Sequence, residues 1–473
     1  MKLSHYLGDK PFWRVTARLA LPIAFQNVLT SSFQLVDTMM VSRLGGLTLS
    51  AVGMASQWGW LSNLLGFGLC SGMSVFVSQY WGVRDLKGIR RVLGIALATA
   101  LVLTGAFLAV ALLAPEFVLG LFNDDPDVVA TGCRYLTIVC FSYPAVVLTN
   151  VLATVLRNTE QVKPPMYVSL LTTVVNAVVN YGLIFGKLGM PRMGVAGAAI
   201  ATCISAWLGP VLLLAISAVQ KNLLIGPIRE LLAFGPKNLK RFFRRAFPVI
   251  LNEGLWAFGI LVLNTIYSNQ GYEYYAGMTV FKTIADLCFA FYVGLGNACV
   301  IMVGKSVGQG KIPRALQDAT RFSFLVPLTG LVIGGLTILF REPLISIFAM
   351  GDSLSALTLQ TAYAVTLFCS LEVAFRNITY VQVVGVFRSG GDTFHGMLYD
   401  LGSLWLVSIP LTLLAAYVLH LPFLAIVAVA YLGEDIPKSI LCLWYFRTKR
   451  WLKPVTEEGQ AGLEAWKREQ ECR

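Results

Sequence analysis

Four polar side chains stand inside long apolar stretches in the first half of the chain. They are Asp37, the pair Asn176 and Asn180 one helical turn apart, and Thr202. At about 1.5 Å of rise per residue, each lies roughly 9 to 16 Å along its helix from the nearest basic residue on one side. A carboxylate with amide and hydroxyl oxygens at matched depth suits a hard cation such as sodium, and the carboxylate alone can carry a proton. Asparagines that hydrogen-bond neighbouring helices are the structural alternative.

The second half carries a different set of charged residues within apolar stretches. Lys282 and Asp286 are four residues apart, as are Glu372 and Arg376, so each pair shares one helix face. Such pairs are either neutralised structural contacts or groups that line a watery cavity and exchange partners. Glu253 has no cation one turn away, which makes it a candidate for binding a cation.

The last apolar stretch repeats this spacing with Glu434 and Lys438 and adds Asp435. Asp400 lies a few residues from the end of its own stretch, where a carboxylate can reach water. Asp400 and Asp435 are therefore less clear candidates, whereas Glu434 and Lys438 have the same two alternatives as the other pairs.

Two prolines stand inside apolar stretches, Pro22 in the first and Pro248 in the seventh. A proline within a helix lacks the amide hydrogen that would donate one turn back, so each is predicted to kink or loosen its helix. A static bend is the structural alternative to a bend that changes with the state of Asp37.

The composition decides which class of protein holds these residues. The 473 residues are 56% hydrophobic and 13% charged, and the mean hydropathy is +0.69. Soluble globular domains do not have this composition, whereas helices that face lipid need it. The sequence predicts an all-α polytopic membrane protein of about 12 transmembrane helices, near residues 17–41, 50–80, 93–114, 131–156, 166–186, 195–219, 246–269, 276–304, 318–340, 359–387, 396–419 and 423–446.

Lys and Arg are distributed unevenly between the loops. If both termini and every second loop face one side, that side holds 29 of the 37 Lys and Arg residues, and the other side holds only Arg43, Lys187, Arg192 and Arg341. Cytoplasmic loops carry such an excess, so both termini are predicted to be cytoplasmic. The net charge of +12 follows from this topology, and no basic soluble face for nucleic acid is expected.

The second half of the chain repeats the first. An offset of 226 residues superimposes Pro22 on Pro248, Gly45 on Gly271, Gly68 on Gly294 and Gly82 on Gly308. Six helices per repeat make two pseudo-symmetric six-helix lobes that enter the membrane from the same side, with a substrate site expected between them. The predicted domains are an amino-terminal lobe over residues 1–220, a basic cytoplasmic linker over 221–245, a carboxy-terminal lobe over 246–447 and a charged cytoplasmic tail over 448–473.

Several segments together resemble the multidrug and toxic compound extrusion (MATE) family, and the resemblance covers nearly the whole chain. In the first half they are ALPIAFQN and LVDTMMVSRLGG, YWGVRD, LRNTEQVKPPM, and the long stretch NAVVNYGLIFGKLGMPRMGVAGAAIAT that runs from Asn176 to Thr202. In the second half they are VGKSVGQGK and FRSGGDTFHGM. The stretch from Asn176 to Thr202 is the most specific of these.

The resemblance implies a secondary active antiporter that exports organic cations, drugs or amphiphilic metabolites in exchange for Na⁺ or H⁺ by alternating access. It assigns the coupling ion to Asp37, Asn176, Asn180 and Thr202, the four residues that their predicted depth also groups. No further cofactor is implied, and the nine cysteines and three histidines show no metal-ligand spacing.

The second lobe departs from the pattern of the family. Trp256 and Asn377 stand where many members carry a carboxylate, and the nearest carboxylates are Glu253 and Glu372. The possible ion or cavity groups of this lobe are therefore Glu253, Lys282, Asp286, Glu372 and Arg376.

We expect a monomer in the inner (cytoplasmic) membrane, with a small cationic or amphiphilic substrate and membrane lipids as its partners. A flippase for a lipid-linked precursor is the first alternative, although a more basic cavity would suit its phosphate. A channel is the second. An enzyme is not expected, because no HExxH or GxSxG motif or paired catalytic aspartates occur in the apolar stretches.

Overall fold

The computed structural model describes residues 8–122, 125–349 and 355–472. All regular secondary structure in these ranges is helical, which confirms the all-α class. Helices are expected here because lipid offers no hydrogen-bond partner to the backbone, so each amide must be satisfied within its own segment.

The first half contains eight helices. They are α1 (Lys10–Ser42), α2 (Gly46–Gly82), α3 (Leu86–Leu113), α4 (Pro115–Gly120), α5 (Pro126–Val139), α6 (Ser142–Asn158), α7 (Lys163–Phe185) and α8 (Val195–Val219).

The second half and the tail contain nine more helices within the described residues. They are α9 (Ile228–Leu231), α10 (Pro236–Ser268), α11 (Tyr272–Gly308), α12 (Ile312–Leu339), α13 (Arg341–Ala349), α14 (Ala356–Gly390), α15 (Thr393–Val418), α16 (Phe423–Thr448) and α17 (Glu457–Glu471). One π-helical segment, Val381–Phe387, interrupts α14. Two more, Ser403–Ser408 and Leu414–Val418, interrupt α15.

Ten of the described helices are long and apolar enough to cross a membrane. The pair α5 and α6, bent by 46° at a short break, makes an eleventh candidate span. The twelfth predicted span corresponds to α16, a 26-residue helix that contains Glu434, Asp435, Lys438 and Arg447. The chain is therefore a multi-pass membrane protein.

The helices form two compact units. The N unit consists of Phe25–Val77 and Asp85–Ile250, and the C unit consists of Met1–Ala24, Ser78–Arg84 and Leu251–Arg473. The chain passes between them four times. Two of these crossings lie inside α1 and α10, two residues beyond Pro22 and Pro248, and the other two bound the segment Ser78–Arg84. Whether these prolines bend their helices, and whether the lobes have the bounds given above, stay predictions.

The N unit contains an apolar cluster that includes Tyr135 and Leu136 of α5 together with buried residues of α1, α2, α7 and α8. Two helices of this unit approach closely at a glycine, which has no side chain to separate them. A Cβ atom added to Gly72 of α2 would lie 2.6 Å from the Cα atom of Ala246 in α10. Small residues of this kind allow helix backbones to pack tightly in a membrane, where van der Waals contact drives association.

Arg90 of α3 anchors the segment that was predicted to be a linker. Its guanidinium donates to the Leu223 carbonyl at 3.0 Å and to the Glu230 carboxylate at 2.7 Å. Both partners belong to the N unit, and the segment then continues into α10 at Pro236. This stretch is therefore held against α3 rather than extended between helices.

In the C unit, the segment after α16 folds back on the ends of the membrane helices. Trp451 is fully buried and packs on Gly390, where an added Cβ atom would lie 2.3 Å from its ring. The buried amide of Gln79 donates to the Ser389 carbonyl at 2.9 Å and accepts from the Val455 amide at 2.7 Å. The tail segment is thus part of the packed unit before it continues as α17.

Candidate functional site

Three of the four polar residues that the sequence groups in the first half are in direct contact within the N unit. The side-chain nitrogen of Asn180 donates a short hydrogen bond to Oδ1 of Asp37. The same nitrogen donates to Oδ1 of Asn176 at 3.2 Å. One amide of α7 therefore joins a carboxylate of α1 to a second amide one turn away on α7.

A second chain of hydrogen bonds connects this cluster to α8. The side-chain nitrogen of Asn176 donates to the Ser205 hydroxyl at 3.1 Å, and that hydroxyl donates to the Thr202 carbonyl at 3.0 Å. The Thr202 hydroxyl itself donates to the Ala198 carbonyl at 3.0 Å, within its own helix. Thr202 thus lies beside the cluster without a direct bond to Asp37.

Tyr135 is a member of this site that the sequence did not reveal. Its side chain is buried, and its hydroxyl lies next to the hydroxyls of Thr202 and Ser56 and near the Asp37 carboxylate. A tyrosine at a helical core position gives no signal of its own in a single sequence. Only the packing of α5 against α2 and α8 brings the hydroxyl to the cluster.

The side-chain oxygen atoms gathered at this site are suited to bind a hard cation or a proton. Asn180 is completely buried, and its Oδ1 atom has no hydrogen-bond partner among the residues that the structure describes. An unsatisfied buried oxygen is costly, and a bound cation would satisfy it together with the oxygens of Asp37, Asn176 and Thr202. A proton would instead occupy the Asp37 carboxylate alone.

In the C unit, Glu253 has a cation partner that comes from another helix. Its Oε1 atom accepts from the Arg388 guanidinium at 2.8 Å, and the Arg388 side chain is only 4% exposed. Spacing along one helix reveals only a cation one turn away, so the sequence analysis did not identify Arg388 as the partner of Glu253. The buried ion pair makes Glu253 unlike Asp37, whose described partner is a neutral amide.

Lys438 is the centre of a second buried ion cluster in the C unit. Its ammonium donates to Asp400 at 2.9 Å and to Glu434 at 2.8 Å, and it lies 3.7 Å from Asp435. Asn252 also donates to Asp400, at 2.9 Å. Asp400 is therefore held by protein partners, and 14% of its side chain is exposed.

The other two pairs with four-residue spacing form no ion pair within 4.0 Å in the described part of the chain. Lys282 donates to Oδ1 of Asn264 instead of pairing with Asp286. Arg376 lies over the ring of Tyr431 at 5.7 Å. Oε1 of the buried Glu372 has no hydrogen-bond partner in the described ranges.

The family model MatE matches this chain twice, over residues 22–182 and 248–430. The two matches together cover well over half of the chain, and their starting points at Pro22 and Pro248 are separated by the offset of the internal repeat. The chain belongs to the MATE family. It is accordingly a membrane transporter with the two-lobe fold of that family, and the resemblance stated above is confirmed.

Relatives from several bacteria support this assignment. The probable multidrug resistance protein NorM of Thermotoga maritima is 25% identical over 439 residues, covering 92% of either chain. The multidrug resistance protein NorM of Vibrio cholerae is 26% identical over 345 residues, covering 72% of this chain and 75% of its own. Both matches extend over most of the membrane helices.

Solved MATE structures share the fold. A MOP superfamily transporter from Pyrococcus furiosus Vc1 superimposes with a TM-score of 0.84 at 18% identity and covers 95% of this chain and 98% of its own. The eukaryotic MATE transporter AtDTX14 gives a TM-score of 0.81 at 18% identity, over 96% and 99% of the two chains. Identity this low supports the fold and leaves the substrate and the ion to other arguments.

Proposed function

We propose that this MATE transporter is an antiporter that exports organic cations or other amphiphiles in exchange for a cation bound at Asp37. The observation that carries the proposal is the contact of the Asn180 amide with the Asp37 carboxylate, combined with the unsatisfied Oδ1 atom of Asn180. The amide nitrogen supplies partial positive charge where a cation would otherwise neutralise the carboxylate.

The coupling ion is Na⁺ or H⁺, and the two act differently at this cluster. Rotation of the Asn180 amide by about 180° would exchange its nitrogen for its oxygen, so Na⁺ could meet oxygens of Asp37, Asn180 and Asn176. A proton on Asp37 would remove the charge that accepts the Asn180 hydrogen bond and weaken the connection between α1 and α7. Either ion can shift the conformational equilibrium only by its different affinity for the two states.

The names of the relatives, which are multidrug resistance proteins, support the proposed substrate class. We propose a monomeric exporter in the inner membrane with both termini in the cytoplasm. Arg and Lys counts in the loops support that orientation. A flippase for a lipid-linked precursor is the competing function.

The test uses purified full-length protein in liposomes with ethidium as the cationic probe. Sodium and pH gradients are imposed separately, and uphill movement of ethidium is recorded for the wild type, for Asp37→Asn and for the exposed-carboxylate control Asp127→Asn. We expect one gradient to drive ethidium in the wild type and in Asp127→Asn, and neither gradient to drive it in Asp37→Asn. Uphill transport at the wild-type rate by Asp37→Asn would refute the proposed coupling site.

Failure of the wild type to move ethidium, together with movement of a fluorescent lipid between leaflets, would favour the flippase. Far-ultraviolet circular dichroism and gel filtration of each variant separate a coupling defect from a folding defect.

A further inference from the structure

Residues that follow α16 cap the carboxy-terminal ends of two other helices of the C unit. The carbonyl groups in the last turn of a helix have no hydrogen-bond partner within that helix. At the end of α11, the Thr456 hydroxyl donates to the Gly308 carbonyl at 2.7 Å. At the end of α14, the Lys453 amide donates to the Gly390 carbonyl at 2.8 Å. The chain beyond α16 therefore supplies donors that neither helix can supply to itself.

Glycine residues let this part of the chain lie directly on the helix that it caps. A Cβ atom added to Gly462 of α17 would lie 2.4 Å from the Cα atom of Gly310. A Cβ atom added to Gly459 would lie 2.8 Å from the Val307 carbonyl oxygen. Backbone therefore meets backbone at the end of α11. We call residues 451–462 the tail strap.

Gln79 joins the tail strap to the last turn of α2. Its side chain is completely buried, its nitrogen donates to the Ser389 carbonyl of α14, and its oxygen accepts from the Val455 amide of the strap. The helix α2 belongs to the N unit as far as Val77, whereas the segment Ser78–Arg84 belongs to the C unit. One side chain of the last turn is therefore bound both by α14 and by the strap.

The strap and the last turn of α2 also meet at the same point of α11. Gly308 accepts from Thr456 of the strap, and a Cβ atom added to Gly308 would lie 2.2 Å from the Gln79 carbonyl oxygen. The side chain of Gln309 donates to the Gly82 carbonyl at 3.0 Å, at the end of α2. The ends of α2 and α11 and the strap thus form one continuous set of contacts.

We propose that the tail strap is a latch that holds the last turn of α2 in the C unit and releases this turn once in every transport cycle. The inference rests on the proposed antiport function, because alternating access requires the two lobes to change position. Since the rest of α2 belongs to the N unit, such a change acts on this turn, which has to leave its partners in the C unit in one of the states.

The contacts of the strap differ in strength in the way that a latch requires. On the C unit it is anchored by the fully buried ring of Trp451 and by the ion pair of Lys453 with Asp392 at 2.7 Å. Its hydrogen bond to α2 joins two neutral groups, the Val455 amide and the Gln79 side chain. Hydrogen bonds between neutral groups are roughly half as strong as those that involve a charge, so the strap can release α2 and stay attached to the C unit.

The experiment measures amide hydrogen–deuterium exchange by mass spectrometry on full-length protein in lipid nanodiscs. Protected amides exchange through local opening, so their exchange rate reports how often a segment detaches. Thr456→Val removes the donor to the Gly308 carbonyl while it keeps the shape of the side chain. Loss of one hydrogen bond shifts an opening equilibrium about five-fold, and we expect exchange in residues 78–84 and 304–310 to become faster by about that factor.

Thr448→Val is the matched control, and Gly462→Ala is a second variant of different chemistry. The Thr448 hydroxyl donates to the Tyr445 carbonyl within the end of α16, outside the strap, so its loss should leave exchange in residues 78–84 at the wild-type rate. Alanine favours a helix over glycine, but a methyl group at residue 462 would meet the backbone of Gly310 and displace the strap. We therefore expect Gly462→Ala to raise exchange in residues 78–84 as Thr456→Val does. Unchanged exchange there in both strap variants would overturn the latch, and so would an equal rise in every helix of the C unit.

Ethidium export from liposomes separates a latch from a fixed brace. A weaker latch releases α2 more often, so we expect Thr456→Val and Gly462→Ala to export ethidium up to about five-fold faster than the wild type and Thr448→Val. Export at or below the wild-type rate by variants with raised exchange in residues 78–84 would overturn the release step and indicate a fixed brace. Absence of export in every protein, the wild type included, would refute the antiport function, whereas the exchange rates would still show whether the strap holds α2.

Discussion

Gly82 and Gly308 occupy equivalent positions of the internal repeat, and each one faces the backbone of the helix that carries the other. A Cβ atom on Gly82 would lie 2.4 Å from the Lys305 carbonyl oxygen, and a Cβ atom on Gly308 would lie 2.2 Å from the Gln79 carbonyl oxygen. Lys305 and Gln79 are themselves related by the repeat offset. The contact is therefore reciprocal, as a pseudo-two-fold axis between two like segments requires.

This contact makes Gly308→Ala a destabilising substitution. The added methyl group meets a backbone carbonyl rather than a flexible side chain, and forced overpacking of this kind costs about 1 to 3 kcal/mol. We expect the thermal midpoint of the purified protein in detergent to fall. The control is Gly105→Ala, also in a helix, where no atom lies within 4 Å of the added Cβ atom. An equal midpoint for the two variants would contradict the close approach.

The sequence predicted the helices well because one physical requirement controls them. A hydrocarbon core of fixed thickness demands long apolar segments, and α2, α3, α8, α11 and α12 lie close to their predicted positions. The break between α5 and α6 and the π-helical segments of α14 and α15 were not predicted. Both depend on local packing, which apolar composition alone does not encode.

The sequence groups residues that lie at a similar depth along their helices, but it does not reveal contacts that depend on a partner helix. Asp37, Asn176 and Asn180 were grouped because the rise per residue places them at one level, and the structure joins them by hydrogen bonds. The partner of Glu253 is Arg388, 135 residues away, and spacing within one helix cannot reveal it. Tyr135 was missed for the same reason.

Tyr135→Phe tests the contribution of its hydroxyl to the Asp37 site. The ring keeps the apolar packing of α5, while a polar neighbour of Thr202 and Asp37 is lost. A hydrogen bond is worth about 1 kcal/mol, so we expect the coupling-ion concentration for half-maximal export to change roughly five-fold. The measurement is ethidium export from liposomes at varied Na⁺ and pH.

Tyr143→Phe is the matched control for Tyr135→Phe. Tyr143 belongs to the same apolar cluster and is buried, but within the described part of the chain its hydroxyl has no hydrogen-bond partner. Its removal should leave the ion dependence unchanged. Equal effects of the two substitutions would show that the Tyr135 hydroxyl has no specific role at the site.

Glu253→Leu tests the buried ion pair with Arg388. Removal of one partner from such a pair leaves the other charge buried, which typically costs about 3 to 5 kcal/mol. Arg388 keeps a further contact, so we expect the lower end of this range. The measurement is the unfolding midpoint in denaturant. Arg314→Ala, which breaks a 3.9 Å pair of an arginine that is 68% exposed, is the control with a small expected effect.

The double variant Glu253→Leu with Arg388→Leu completes this test. It removes both charges, so we expect it to be more stable than Glu253→Leu alone. A double variant that is less stable than the single variant would indicate that Arg388 stabilises the C unit mainly through its other contact.

Asp392, between α14 and α15, stabilises the tail segment in its ionised form. Burial favours the neutral acid, yet hydrogen bonds from Lys453, Tyr445 and His395 outweigh it and lower the pKa of Asp392 below its ordinary value. The pKa in the folded state therefore lies below the unfolded value of about 3.9, so this stabilisation is complete at neutral pH and is lost as the pH falls through the folded pKa.

We expect Asp392→Asn to lower the thermal midpoint at pH 7, and the difference from the wild type to shrink below about pH 4. Glu464→Gln, which changes an exposed carboxylate of α17, should show no difference at either pH. A deficit of Asp392→Asn that stays constant down to pH 3 would mean that packing, rather than the charge of Asp392, holds the tail.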